Sequence, residues 1–443
     1  MRIRRSLGTY EHRRCAWRRG LAAATLAGLV ALVSAGCAAT AGSNLSSAGV
    51  LRIGTLYAGS GQFASSSLPE LAGLRLWVRQ ANAAGGAWVG ALRRREPVRL
   101  IAYDDHSSAS RAAALYARLV ARDHVDILVS DFGSVLTAPA ISVAQHNGVL
   151  LFDQSGTGAS FFTAGNPYIV LCDLPASTVW PDGLARLLVA RHIGRVALVY
   201  GRNYFDASQD QTIAAALTLH GDEPVINQGV PTTNGNYRRF VAEAAARHAS
   251  AVIELGYSSN DIAFLRQLRA SGRHFRFVFT VFAGQLPGVL QHAVGLDAIA
   301  GTYSYGFPPF VERHAPSTGL GDRGLAAALG GRGSGNAVGS GSAGSPVSPG
   351  SPGALNFLNV AGYNTGLVIG AALRTAADAT QLGLRAALSR LSGGLHTLDG
   401  TFRLDAEGAQ VGEIPAVAEL LRGPGGRLVF RDVHSSGTGH ARP

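Results

Sequence analysis

Val50-Leu51-Arg52-Ile53-Gly54-Thr55-Leu56 is a short apolar run that reads as a buried strand, and the alternation it begins decides the fold. Residues 68–83 carry Leu71, Leu74, Trp77, Val78 and Ala81 at helical spacing, and Asn82-Ala83-Ala84-Gly85-Gly86 stops that helix. A second strand, Val98-Arg99-Leu100-Ile101-Ala102-Tyr103, ends in Asp104-Asp105. A helix over 110–123 then leads to the strand Asp126-Ile127-Leu128-Val129. Gly133-Ser134, a helix over 139–147 and the strand Val149-Leu150-Leu151-Phe152 complete the first series, which closes on Ser155-Gly156-Thr157. Short apolar strands separated by helices of this length predict a parallel sheet covered on both faces. The pattern restarts at Arg195-Val196-Ala197-Leu198-Val199-Tyr200. It continues through strands at 224–226, 251–255 and 275–280, with helices at 207–219, 237–247 and 261–271. The fold class is therefore α/β, with two Rossmann-like, doubly wound lobes. Further helices at 358–376 and 382–391 and a strand at 400–404 come after a Gly-, Ser- and Pro-rich stretch that reads as a disordered insert, 329–353.

Residues 1–36 have a different character. Arg2, Arg4, Arg5, Arg13, Arg14, Arg18 and Arg19 precede an uncharged apolar run over 21–33, closed by Ser34-Ala35-Gly36-Cys37. A basic start, a short apolar run and small residues at the cut describe a secretory signal, since a membrane span needs about 20 apolar residues. Cys37 after Ala35-Gly36 resembles the lipobox of bacterial lipoproteins, in which the thiol takes a diacylglycerol and the preceding peptide is removed. Ser34 stands where that motif usually carries Leu or Val, and an ordinary signal peptide containing a Cys is the competing reading. Arg18-Arg19 also hints at twin-arginine export. The expectation is a signal peptide over 1–36 and a lipidated polar tether over 37–50 that anchors the protein at the cell membrane; either way the protein works outside the cytoplasm.

The formal charge of +11 overstates the exported part. With the seven Arg and one Glu of residues 1–36 set aside, it falls to +5, and the chain contains no Lys at all. That excludes a P-loop lysine, a Schiff base and a lysine-rich nucleic-acid face. Scattered positives, densest at Arg93-Arg94-Arg95, read as solvated surface, so no nucleic-acid partner is expected. Beyond Cys37 the only Cys is Cys172, between apolar neighbours, which predicts a buried structural thiol.

Catalytic signatures are missing. There is no His-Glu-x-x-His, no paired Cys-x-x-Cys and no Gly-x-Ser-x-Gly elbow, so neither metal site nor hydrolase nucleophile is expected. Gly319 to Gly324 and Gly339 to Gly344 match the dinucleotide spacing but come after no strand and open no helix, and read as chance in Gly-rich sequence. Asp104-Asp105 could be paired carboxylates; at a strand end before His106-Ser107-Ser108 they read better as caps for the next helix. The remaining signal is a set of small hydroxyl residues at strand ends: Ser60-Gly61, Gly133-Ser134 and Ser155-Gly156-Thr157. Ligands of open α/β sheets bind at such ends, beside helix N-termini that favour an anionic or polar group. Each site alone would be a helix cap, and all three could be caps and nothing else; three on one edge read better as a pocket.

The ordered series Leu51 to Gly54 with Ser60-Gly61, Ala81 to Gly86, Leu100 to Asp105, Gly133-Ser134 with Thr137 to Ala140, and Gly148 to Thr157 is similar to the leucine/isoleucine/valine-binding proteins of bacterial ABC importers. So are Arg195 to Tyr200, Phe240 with Val252 to Tyr257, Leu265 to Gly272, Ala361 to Asn364, and Gly400 to Gly408. The resemblance implies the type I periplasmic-binding-protein fold, with three crossings between lobes near Pro175, Tyr303 and Leu398 forming a hinge. It places lobe 1 over 51–175 plus 303–398, lobe 2 over 176–302 plus 399–434, and a disordered tail over 435–443. It further implies a ligand carboxylate held by Ser134 and by Ser155, Gly156 and Thr157, under aromatic residues Phe205 and Tyr257, with Phe282 beside them. The family's acidic partner for a ligand ammonium is absent, since Val281-Phe282-Ala283-Gly284-Gln285 stands there. Either another acid such as Asp206 substitutes, or the ligand is not an amino acid; an unpaired buried ammonium is costly. The implied protein is a monomeric solute-binding receptor, without catalysis or cofactor. It captures a small carboxylate or amide-like ligand by lobe closure for an ABC permease, and the same fold also serves as a sensor for signalling partners.

Overall fold

The apolar runs assemble into two sheets. In the first, Val98–Asp104, Leu51–Tyr57, Ile127–Val129, Leu151–Asp153 and Ile169–Leu171 lie side by side in that order, all parallel. Leu51 pairs with Val98 and Ile53 with Ile127, which sets every carboxyl end on one edge. In the second, Ile226–Val230, Val196–Gly201, Ala251–Leu255, Phe277–Phe279 and Tyr303–Gly306 are parallel. Ala416–Arg422 and Leu428–Asp432 then extend it antiparallel. The computed structural model describes residues 44–45, 49–307, 314–330, 355–424 and 428–433, all within one packed unit, Ala41–Pro443. The signal segment, Cys37, residues 331–354 of the Gly-rich stretch and the tail lie outside the described residues.

Helices cover both sheets. Ala64–Ala83 packs along Phe357–Thr375 so closely that backbone meets backbone. A Cβ on Gly73 would stand 2.1 Å from the Asn359 carbonyl oxygen, and one on Gly362 1.9 Å from that of Glu70. Only glycine fits at such a crossing. Gly133–Asn147 starts earlier than the helix expected at 139–147, which puts Ser134 in its first turn. Residues 319–324 run into the helix Asp322–Gly330, correcting the expectation that they open none. No described strand leads directly into them, and a Cβ on Gly319 would meet the Tyr363 hydroxyl at 2.5 Å, which leaves no room for a pyrophosphate.

Asp104 and Asp105 do not cap the next helix. Ser108 does, its Oγ accepting the Arg111 N–H at 3.3 Å. Asp104 instead accepts the N–H of Gly59 and of His106, both at 2.8 Å, and Asp105 that of Ser107 at 2.9 Å. These bonds hold a turn in which His106 and Ser107 both take positive φ, so the turn claims the carboxylates before the helix begins. Cys172 is buried, and burial pushes its thiol up.

The chain crosses between the sheets through residues 172–181, after Gly306, and between Phe402 and Ala416. Two of these crossings lie further along than the positions expected at Tyr303 and Leu398. Tyr303–Gly306 belongs to the second sheet, paired with Ala416–Arg422. Leu398 lies in the turn of the hairpin Leu395–Thr397 and Gly400–Phe402, buried in the first lobe's core. Trp180 anchors the first crossing by donating Nε1–H to the Pro175 carbonyl at 2.6 Å.

Candidate functional site

The two lobes meet through aromatic rings. Phe63 and Phe132 rise from the first lobe, just beyond its strand ends, and Phe205, Tyr257 and Phe282 from the second. All five are buried, and all belong to one continuous apolar cluster with the second lobe's core. Tyr257 is its centre: its ring centroid lies 4.9 Å from Phe63, 5.7 Å from Phe132, 6.0 Å from Phe205 and 5.8 Å from Phe282. Edge-on and tilted packing of this kind adds to the area buried. Serine contacts flank the rings, Ser65 with Ser258 at 3.3 Å and Ser177 with Ser208 at 2.7 Å.

Beneath the rings, the first lobe presents the N-terminus of Gly133–Asn147. Gly133 N–H donates to Ser155 Oγ at 3.0 Å, and Gly158 N–H to Ser134 Oγ at 3.0 Å, so both serines are buried and tied into the loop after Leu151–Asp153. Gly156 N–H donates to Asp153 Oδ1 at 2.7 Å. Thr157 is fully buried, and its Oγ1 has no hydrogen-bond partner among the described residues. The Tyr257 hydroxyl faces the backbone N–H groups of Ser134 and Val135 without forming a regular hydrogen bond. Burial pushes its phenol well up, so it is a neutral group lying over the positive end of that helix.

Of the residues singled out in the sequence, Ser134, Ser155, Gly156, Thr157, Phe205, Tyr257 and Phe282 therefore gather where the lobes meet. Ser60 does not join them. It is exposed at the rim, where its Oγ lies 3.0 Å from His106 Nδ1 and its carbonyl accepts from Ser107 Oγ at 2.7 Å. Phe63 and Phe132 are missing from the set expected from sequence, although each sits one or two positions from a Gly-Ser or Ser-Gly pair within it. A groove of about 610 Å³ opens at the mouth between Ala159 and Ser160 on one side and Arg202 and Tyr204 on the other.

Carboxyl groups that form no ion pair among the described residues lie behind both faces. In the first lobe Glu70 is buried with neither oxygen in hydrogen-bond geometry, facing the Ser155 hydroxyl; burial drives its pKa well up. Asp131 accepts from Ser67 Oγ at 2.5 Å and is likewise raised by burial and by neighbouring Asp105, while burial raises Asp153 to about 6. In the second lobe Asp206 accepts from Asn203 Nδ2 at 2.5 Å, with Oδ1 unpartnered. The loop 281–285 has no acid of its own, but Asp261 accepts the Phe282 N–H at 2.7 Å; burial raises Asp261 to about 7. Among the described residues no group of three or more His, Cys, Asp or Glu is arranged to hold a metal ion, and no helix is long and apolar enough to cross a membrane.

Two α/β lobes joined by three crossings and meeting at a lined interface have the architecture of a two-domain binding protein. The profile of the periplasmic binding protein family matches residues 50–421, and the chain belongs to that family. The Leu/Ile/Val-binding protein of Escherichia coli (strain K12) is 24% identical over 244 residues, which cover 55% of this chain and 65% of that protein. A Leu/Ile/Val-binding protein homolog 8 from Brucella abortus (strain 2308) is 22% identical over 283 residues, covering 61% and 67%. The fold matches the branched-chain amino acid transporter substrate binding protein LivJ from Streptococcus pneumoniae, solved with isoleucine. There the TM-score is 0.68 at 16% identity, covering 87% of this chain and 99% of that one. An ABC-transporter solute binding protein from R. palustris, solved with benzoate, gives 0.68 at 16% identity, covering 86% and 96%.

Proposed function

We propose that this chain is the extracytoplasmic solute-binding receptor of an ABC importer of the branched-chain amino-acid type, tethered to the membrane through Cys37. It captures a small carboxylate or amide-like ligand between its lobes. One observation carries the reading: the first turn of Gly133–Asn147, the unpartnered Thr157 hydroxyl and five aromatic rings converge at one lobe interface. The amides and hydroxyl suit a carboxylate or amide oxygen, and the rings suit an apolar body. Entry requires the lobes to part, because Tyr257 lies over the polar floor. Binding then shifts the balance only through contacts made better in the closed form. The names of the relatives and the ligands of the structural neighbours support this class.

The test is a thermal-shift screen with leucine, isoleucine, valine, benzoate and small aliphatic amides. A ligand at 100 times its Kd should stabilise the protein by about 2.7 kcal/mol. If no member of the panel moves the melting temperature, the receptor reading fails. Intact mass of the membrane-extracted protein tests the tether, which is refuted by an unmodified Cys37.

A further inference from the structure

Behind the aromatic interface, on the hinge side, two carboxyl groups face each other. Asp173 comes after the strand Ile169–Leu171 at the root of the first crossing. Asp399 sits in the turn of the hairpin Leu395–Thr397 and Gly400–Phe402, after which the chain crosses for the last time. Asn364, on Phe357–Thr375, is fixed between them: its Nδ2 donates to Asp173 Oδ1 at 2.8 Å, and its Oδ1 accepts the Leu398 N–H at 3.0 Å. The remaining Asp173 oxygen and both oxygens of Asp399 are buried and accept no regular hydrogen bond among the described residues. A cavity of about 50 Å³ adjoins the pair, with His314, Gln410 and Glu413 in its lining.

We propose that Asp173 and Asp399 share one proton and form a latch for the hinge: the shared proton holds the roots of the first and third crossings together, and its loss loosens them. The chemistry balances simply, with an acid–carboxylate pair going to two carboxylates and a released proton. Like charges facing each other cannot both ionise without strain when buried. The titratable neighbours among the described residues are Glu70, Cys172, His314 and Glu413. Glu70, from Ala64–Ala83, adds repulsion at Asp173, and Cys172 stays a neutral thiol. His314 eases ionisation of Asp399, and Glu413 accepts the Thr401 N–H at 3.3 Å across the cavity.

Burial raises Asp173 from 3.8 to about 6 and drives Asp399 well up. Because both folded values exceed the unfolded ones, the stabilisation is complete below about pH 4 and falls as pH rises. The first proton leaves near 6 and makes the shared-proton pair, and the shared proton itself leaves only above that, where burial and Asp173 hold Asp399. This is the reverse of the usual salt-bridged Asp.

The latch does not depend on the identity of the ligand, and its test uses none. Melting temperature and small-angle-scattering radius are measured on the full chain from about pH 4.5 to about pH 9.5, which spans the loss of both protons. For the natural sequence, the melting temperature falls and the radius grows with pH. In Asp399→Asn the amide donates to Asp173 at every pH, so the fall is smaller by about 2 °C and the radius stays constant. Asp173→Asn is the second variant should the first not fold. An unchanged pH profile in a folded variant, or a radius of the natural protein that does not move with pH, overturns the latch.

Discussion

Thr157→Val separates the demands of folding from those of binding. The side chain is fully buried, and its hydroxyl has no partner among the described residues. Burying a hydroxyl uncompensated costs about 1–3 kcal/mol on mutational scales. Valine keeps the branched shape and removes that cost, so the variant should be as stable as the natural protein or more stable by about 1 kcal/mol. Binding should move the other way. A hydrogen bond to a charged group is worth about 1.5–3 kcal/mol, so losing it weakens affinity about 10- to 150-fold for a carboxylate ligand. Urea unfolding without ligand, and isothermal calorimetry with whichever panel compound binds, measure the two halves independently. A variant that unfolds more easily would show that the hydroxyl has a structural partner. One that binds with undiminished affinity would show that the ligand does not touch Thr157. Either result refutes the reasoning, because the site reading requires a group that folding does not need.

Ser134→Ala should behave differently, because the Ser134 Oγ already accepts the Gly158 N–H at 3.0 Å. The orphaned buried amide should cost about 1–3 kcal/mol, visible as a lower urea midpoint even without ligand; an unchanged midpoint would contradict the geometry. Gly362→Ala should be more damaging, since its Cβ would fall 1.9 Å from a backbone oxygen that cannot swing away. A loss of about 3 kcal/mol is expected by the same assay, and a neutral substitution would mean that the two helices do not touch there.

Much of this architecture is legible in the chain because its signals are local. Apolar runs such as Val196–Gly201 and Ala251–Leu255 announce strands buried on both faces, and Gly133-Ser134 and Ser155-Gly156-Thr157 announce polar loops at their ends. The features that resisted reading depend on distant partners. Tyr303 reads in sequence as a crossing point, and only its pairing with Ala416–Arg422 puts Tyr303–Gly306 inside the second sheet. Phe63 and Phe132 are ordinary loop aromatics in sequence, and become part of the interface only when Tyr257 packs against both.

The sequence alone therefore determined the class of fold, the two lobes and the polar chemistry at the strand ends, since helix and strand periodicity and loop composition are short-range properties. Only the tertiary structure decided which lobe claims each late strand, how five rings cover the polar floor, and that Asp173 meets Asp399. Those outcomes rest on close packing and burial between segments far apart in the chain, where the cost of an unpaired group depends on neighbours that no local pattern names.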